Sequence, residues 1–156
     1  LLEQNCEIAT STATTTATTT VNFDDLLLSA AFMDNGKNVG VSCKPWVNKV
    51  VNFITGGSLM LPLLQPNNYT WGLVAGGRVL YRSVAIEKAD RGDIIQYNIA
   101  SQNNLPHTAI IVTKTPTGMV WIHSNWQKAN TVSVDFITYA YFNSAAGSQY
   151  SVYHVY

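Results

Sequence analysis

The stretch GVSCKPWVNKVVNFI, residues 40–54, carries the clearest structural signal in the chain. Its apolar side chains recur at helical spacing, at Val47, Val50, Val51 and Ile54. This spacing predicts a helix that begins near Ser42 and buries one face. Pro45 agrees with that start, because proline is tolerated in the first turn of a helix and disrupts later turns. The pair Gly56-Gly57 predicts the end of the helix.

A cysteine falls in the first turn of this predicted helix. The unpaired backbone N–H groups and the helix dipole at that position favour a negative charge, and Lys44 adds a positive charge beside Cys43. We therefore expect a lowered pKa for the Cys43 thiol, which would make it a nucleophile. Two alternatives stay open. Cys43 is a small buried hydrophobic side chain, or it forms a disulfide with Cys6 that would inactivate the thiolate.

The sequence on either side of this helix predicts an α+β fold. A second helix is predicted upstream, capped by Asn22 or Asp24 and ending near Asn35-Gly36. Downstream, segments rich in β-branched and aromatic residues predict strands at 93–98, 107–114, 119–126, 131–134 and 150–156. Residues 135–142 predict a short helix between the last two strands. Helices followed by an antiparallel sheet are typical of the α+β class.

Two of the predicted strands form a hairpin that brings polar side chains together. Residues 115–119, TPTGM, predict a three-residue loop closed by proline and glycine. The resulting register places Ala109 opposite Asn125. His107, Asn125 and, more distantly, His123 then share one face, because strand side chains alternate with a period of two. A register shift of two residues keeps this arrangement, and a shift of one destroys it.

These side chains fit the requirements of a cysteine hydrolase. A cysteine nucleophile needs a histidine to accept its proton and a third polar group to orient that histidine. The chain supplies Cys43, then His107, then His123 or Asn125. The thiolate would attack an amide carbonyl, and the histidine would protonate the leaving amine. Backbone amides at the helix start would hold the oxyanion.

Four segments in this order, GVSCKPWVNKVV, RGDIIQY, PHTAIIV and VWIHSNW, resemble the papain-like cell-wall amidases and endopeptidases of the CHAP and NlpC/P60 group. The resemblance covers roughly residues 40–135. It implies a papain-like, NlpC/P60-type fold with N-terminal helices packed on an antiparallel sheet, and hydrolysis of amide bonds in peptidoglycan peptides. Cys43 matches the nucleophile of the group and His107 its base. His123 matches the orienting histidine, with Asn125 as the alternative.

Composition narrows the range of partners. Nine Lys and Arg balance nine Asp and Glu, and only 12% of residues are charged. The chain therefore lacks the positive charge expected of a nucleic-acid-binding protein. No apolar run approaches the ~18 residues needed to span a bilayer. No cluster of His, Cys and Asp has metal-ligand spacing, so we predict neither a metal nor another cofactor.

The organisation predicted from the sequence is a Thr-rich arm or linker at 1–20, with an edge strand as the alternative for residues 10–20, followed by a single catalytic domain at 21–156. The polar, charge-poor surface predicts a secreted or periplasmic location. We expect a peptidoglycan or peptide substrate, and the sequence indicates no oligomeric state. Two rival functions stay open, a non-catalytic binding domain of the same fold and a protein-directed cysteine peptidase or toxin.

The remaining aromatic and charged residues are assigned more briefly. Tyr69, Trp71 and Trp126 are the candidates for lining a substrate groove, because each flanks a predicted edge of the site. His154 lies on a terminal strand of Tyr and Val, which predicts a structural role. The tripeptide at residues 91–93, RGD, is interpreted as a turn before a strand rather than as an integrin-binding motif.

Overall fold

The computed structural model describes residues 22–57, 79–82, 84–147 and 150–155. The predicted Thr-rich arm at 1–20 lies outside the described residues. Cys6 and the groove candidates Tyr69 and Trp71 lie outside them as well.

Within these ranges the chain forms three α-helices and six strands. In chain order they are α1 Phe23–Phe32, α2 Cys43–Ile54, β1 Val79–Arg82, β2 Ile94–Ile99, β3 Leu105–Thr115, β4 Gly118–Ser124, β5 Val132–Thr138, α3 Tyr139–Ala146 and β6 Tyr150–Val155. The strands form one sheet in the order β1-β6-β2-β3-β4-β5, and every neighbouring pair is antiparallel. The predicted α+β class with an antiparallel sheet is confirmed. None of the described helices is long and apolar enough to cross a membrane.

The two N-terminal helices pack on one face of the sheet. Asn22 caps α1 by accepting a hydrogen bond from the Asp24 backbone N–H at 3.0 Å. Ser42 is the N-cap of α2, as the sequence predicts. The apolar face of α2 buries Trp46, Val47, Val50 and Val51 against side chains of β2, β3 and β4, namely Ile94, Ile110 and Ile122. This packing places α2 against β3 and β4.

The opposite face of the sheet is covered by α3. Phe142 and Ala146 pack there against Ile95, Tyr97 and Trp121. Because both faces are covered, all six residues of β2 are buried. The short helix predicted at 135–142 starts later than expected, since residues 135–138 pair with β4 and belong to β5.

The β3–β4 hairpin is tighter than the sequence predicts. Thr115 pairs with Gly118, which leaves a two-residue loop. The Thr115 hydroxyl accepts a hydrogen bond from the Gly118 backbone N–H at 3.1 Å and closes that loop. This loop shifts the predicted register by one residue, and a β-bulge between Ile111 and Thr113 shifts it by one more. Ala109 lies opposite His123 and not Asn125, so the predicted register is wrong by two residues at this end of the hairpin. An even shift preserves the faces, and His107 and His123 remain on the same side of the sheet.

Candidate active site

The thiol of Cys43 lies where helix α2 meets strand β3. Cys43 is the first residue of α2, its residue surface is 8% exposed, and it forms no disulfide within the part of the chain that the structure describes. The backbone N–H and the hydroxyl of Thr108 donate hydrogen bonds to its sulfur. Since Thr108 follows His107 directly in β3, the helix start and the strand together bring the thiol to the backbone of the strand that carries this histidine.

The prediction of a lowered pKa for this thiol is wrong. Burial raises the pKa of Cys43, and the hydrogen bonds from Thr108 and from the first-turn backbone offset only part of that effect. Burial also lowers the pKa of Lys44. The free energy needed to remove the Cys43 thiolate from water exceeds the stabilisation that the start of α2 gives it. The resting group is therefore a neutral thiol.

Two histidines on neighbouring strands form a buried pair. Nε2 of His107 in β3 lies 2.7 Å from Nδ1 of His123 in β4, and the two rings are nearly perpendicular, at 77°. His107 is 4% exposed and His123 is 0% exposed. Burial, assisted by His123, lowers the pKa of His107 to about 3. Burial also lowers the pKa of His123, so both rings are neutral at pH 7.

The pair continues to a carboxylate that the sequence analysis missed. Nε2 of His123 lies 2.8 Å from Oδ2 of Asp135 in β5, and the Ser133 hydroxyl donates to the same oxygen at 2.8 Å. The Gln127 amide donates to the other carboxylate oxygen. Partial burial raises the pKa of Asp135, but the hydrogen bonds from His123, Ser133 and Gln127 outweigh it and hold the pKa below its usual value.

Asn125 lies apart from this chain of hydrogen bonds. Its backbone adopts the left-handed conformation, with φ at 64°, just beyond the end of β4. Its side chain is exposed and accepts a hydrogen bond from the Asn130 backbone N–H at 3.0 Å, which closes a local turn. Of the two candidates for the orienting group, the structure therefore brings His123 to His107.

Aromatic rings surround the histidine pair. The ring of Trp126, one of the predicted groove residues, lies 4.8 Å from that of His107 and 5.5 Å from that of His123, centroid to centroid. Trp126 also lines a cavity of about 350 Å³ next to Asp135, together with Trp121, Phe136 and Tyr141. Such a cavity can hold an apolar or planar part of a substrate.

His154 lies away from the histidine pair. Its Nδ1 lies 2.8 Å from Oδ1 of Asp93, a fully buried carboxylate whose other oxygen accepts from the Asp90 backbone N–H. This contact ties β6 to the turn before β2, as expected of a structural residue. Because Asp93 is buried, the RGD tripeptide does not offer its carboxylate to a partner. The described residues contain no group of three or more His, Cys, Asp or Glu that could hold a metal ion.

Comparison with known proteins identifies structural neighbours only. No protein-family model matches the chain, and no curated protein matches it. The crystal structure of Ly7917 matches with a TM-score of 0.63 at 12% identity, over 83% of this chain and 61% of that one. Ly7917 with the hydrolyzing product of MDP matches with a TM-score of 0.61 at 10% identity, over 83% and 62%. The chain spans about three fifths of Ly7917, and at this identity the likeness shows a shared fold.

Proposed function

We propose that this protein is a papain-like cysteine hydrolase, of the NlpC/P60 type, that cleaves amide bonds in peptidoglycan peptides. The observation that carries the proposal is the position of the Cys43 thiol, which lies at the start of α2 and accepts hydrogen bonds from Thr108, the residue after His107 in β3. His107 is in turn connected to His123 and Asp135 by buried hydrogen bonds. The neighbour Ly7917 was crystallised with the hydrolyzing product of MDP, which supports a hydrolytic reaction and this substrate class. Because the proposed substrate is part of the cell wall, the proposal includes a secreted or periplasmic location.

The neutral resting state determines the order of the chemical steps. Because burial disfavours a separate thiolate and imidazolium, the thiol proton moves to His107 as the sulfur of Cys43 bonds to the substrate carbonyl carbon. The carbonyl oxygen becomes an oxyanion, and backbone N–H groups in the first turn of α2 hold it.

The second half of the reaction returns the enzyme to its starting state. When the carbon–nitrogen bond breaks, His107 gives its proton to the leaving amine, and an acyl thioester remains on Cys43. A water molecule then attacks the thioester while His107 accepts one of its protons. The carbon–sulfur bond breaks, the proton returns to sulfur, and the free acid leaves.

The test compares release of soluble peptides from purified peptidoglycan by wild type and by Cys43→Ala. Removing a nucleophile costs on the order of 10³-fold or more in rate, so we expect the variant to release peptides at background level. Cys6→Ala is the matched control, because it removes the other cysteine of the chain. Equal release by Cys43→Ala and wild type, with both folded, would falsify the proposal. A gain of activity in Cys6→Ala would indicate a Cys6–Cys43 disulfide.

One observation favours a second candidate, a non-catalytic binding domain. Cys43 is nearly buried and burial raises the pKa of its thiol, which are the properties of an unreactive cysteine. A chloromethyl ketone attached to a short peptidoglycan peptide separates the two functions by intact mass. The hydrolase is expected to gain one adduct at Cys43. A binding domain would hold peptidoglycan without forming an adduct or releasing peptides.

A further inference from the structure

We propose that Asp135 is a positioning residue that sets the tautomers of both buried histidines and so selects the nitrogen of His107 that takes the proton of Cys43. The inference rests on the proposed hydrolase function for its catalytic consequence. Its structural part concerns the resting protein and does not depend on that function.

The carboxylate determines the proton position on the nearer histidine. An ionised carboxylate has no proton to donate, so the 2.8 Å contact to Asp135 is a hydrogen bond only when Nε2 of His123 carries the hydrogen. A neutral imidazole has one N–H group, which leaves Nδ1 of His123 as an acceptor. The position of the proton on His123 therefore follows from the charge of Asp135.

The same reasoning passes the constraint to the second histidine. Nδ1 of His123 lies 2.7 Å from Nε2 of His107, and an acceptor at that distance requires a donor. Nε2 of His107 must therefore carry the hydrogen, and its Nδ1 keeps a free lone pair. Asp135 in this way makes Nδ1 the basic nitrogen of His107, although two imidazole rings separate that atom from the carboxylate.

The carboxylate is itself held in place for this task. Ser133 donates to the oxygen that His123 contacts, and Gln127 donates to the other oxygen. Both donors are neutral, so they orient the carboxylate and leave its charge uncompensated. When His107 takes the proton of Cys43, the two hydrogen bonds connect the new positive charge to this negative one.

The kinetic test replaces the carboxylate by an amide. In Asp135→Asn the introduced amide can donate to Nε2 of His123, which reverses both tautomers and places a hydrogen on Nδ1 of His107. We expect a kcat loss on the order of 10³-fold with KM changed less than about threefold, by analogy with a serine protease triad whose histidine takes the wrong tautomer. Asp135→Glu should restore at least about tenfold of that loss, because it returns the acceptor.

Two variants give the kinetic test its controls. Ser133→Ala keeps the charge of Asp135 and removes one of its donors, so we expect a kcat loss below about tenfold. Asp25→Asn neutralises an exposed carboxylate on α1 that pairs with Arg91, and its kcat should equal that of wild type. A folded Asp135→Asn variant within about threefold of wild-type kcat would overturn the proposal.

The structural test reads the tautomers directly by ¹⁵N nuclear magnetic resonance of the imidazole nitrogens. The chain has three histidines, and His154 provides an internal reference because its Nδ1 contacts a carboxylate. We expect the hydrogen on Nε2 in both His107 and His123, and on Nδ1 in His154. A hydrogen on Nδ1 of His107 in the wild-type protein would overturn the proposal even if Asp135→Asn fails to fold.

The two tests separate this proposal from the proposed function. The tautomers are measured in the resting protein without substrate, so a protein that hydrolyses nothing still reports them. Expected tautomers together with an active Cys43→Ala variant would refute the hydrolase and leave the role of Asp135 in setting the tautomers intact. Reversed tautomers together with an inactive Cys43→Ala variant would refute the role of Asp135 and leave the hydrolase.

Discussion

Acid should destabilise this protein as the pH falls below about 6.5, because the buried histidine pair must stay neutral in the folded state. Folding lowers the pKa of His107 from 6.5 to about 3. The unfolded chain therefore binds protons more readily than the folded one. The resulting stability is fully present above pH 6.5 and is lost as the pH falls from 6.5 toward 3.

The size of the effect follows from this shift. At about 1.36 kcal/mol per pKa unit, His107 alone should lower the free energy of unfolding by about 2–3 kcal/mol between pH 7 and pH 4.5. His123, whose pKa burial also lowers, adds to the loss in the same direction. A loss of this size is a substantial part of the stability of an ordinary domain.

Urea denaturation followed by tryptophan fluorescence at pH 7, 6, 5 and 4.5 measures this loss. His107→Gln is the matched control, because it keeps a polar side chain at the buried position and removes the titrating group. We expect the variant to lose about 2–3 kcal/mol less than wild type over the same range. Parallel pH dependences of wild type and variant would refute the reasoning, since the acid sensitivity would then come from other groups.

Three further variants test the packing of the fold and the proposed substrate groove. Gly118→Ala should destabilise the protein by about 1–3 kcal/mol, measured by urea denaturation, because a Cβ at this position would meet the Ile137 carbonyl oxygen and the Phe136 ring. Trp46→Ala should cost about 3–5 kcal/mol, measured in the same way, because this side chain is fully buried in the core under α2; a cost below about 1 kcal/mol would contradict that assignment. Trp126→Ala should raise KM at least about fivefold and leave Tm within about 2 °C, because its half-exposed ring lines the cavity beside Asp135; an unchanged KM would exclude it from the substrate groove.

Local signals in the sequence were sufficient to predict the helix that carries the thiol. The apolar spacing of α2 and its cap at Ser42 depend on neighbouring residues only, and both agree with the structure. The placement of His107 and His123 on one face also follows from the two-residue period of strands. In the structure that placement also depends on the β-bulge between Ile111 and Thr113, because the tighter loop shifts the register by one residue and the bulge adds a second.

Features that depend on contacts between distant residues could not be predicted in this way. The segment FITYAYF, residues 136–142, suits either a strand or a helix, and only its pairing with β4 places Asp135 and the following residues in β5. Because a helix was predicted at 135–142, Asp135 was not recognised as a strand residue beside His123. The pKa of Cys43 depends in the same way on burial between α2 and the sheet, and the helix start alone does not reveal this burial.

The geometry of the sheet makes strand register a condition of chemistry as well as of packing. His107, His123 and Asp135 lie on three adjacent strands and step diagonally across them, two residues at each crossing. A slip of one residue in either strand pairing would turn one member to the far side of the sheet. Such a molecule could keep its secondary structure and compactness and still lack the connected hydrogen bonds. Activity therefore requires the correct register of both strand pairings. An activity assay would detect molecules with a shifted register that circular dichroism does not distinguish from the native protein.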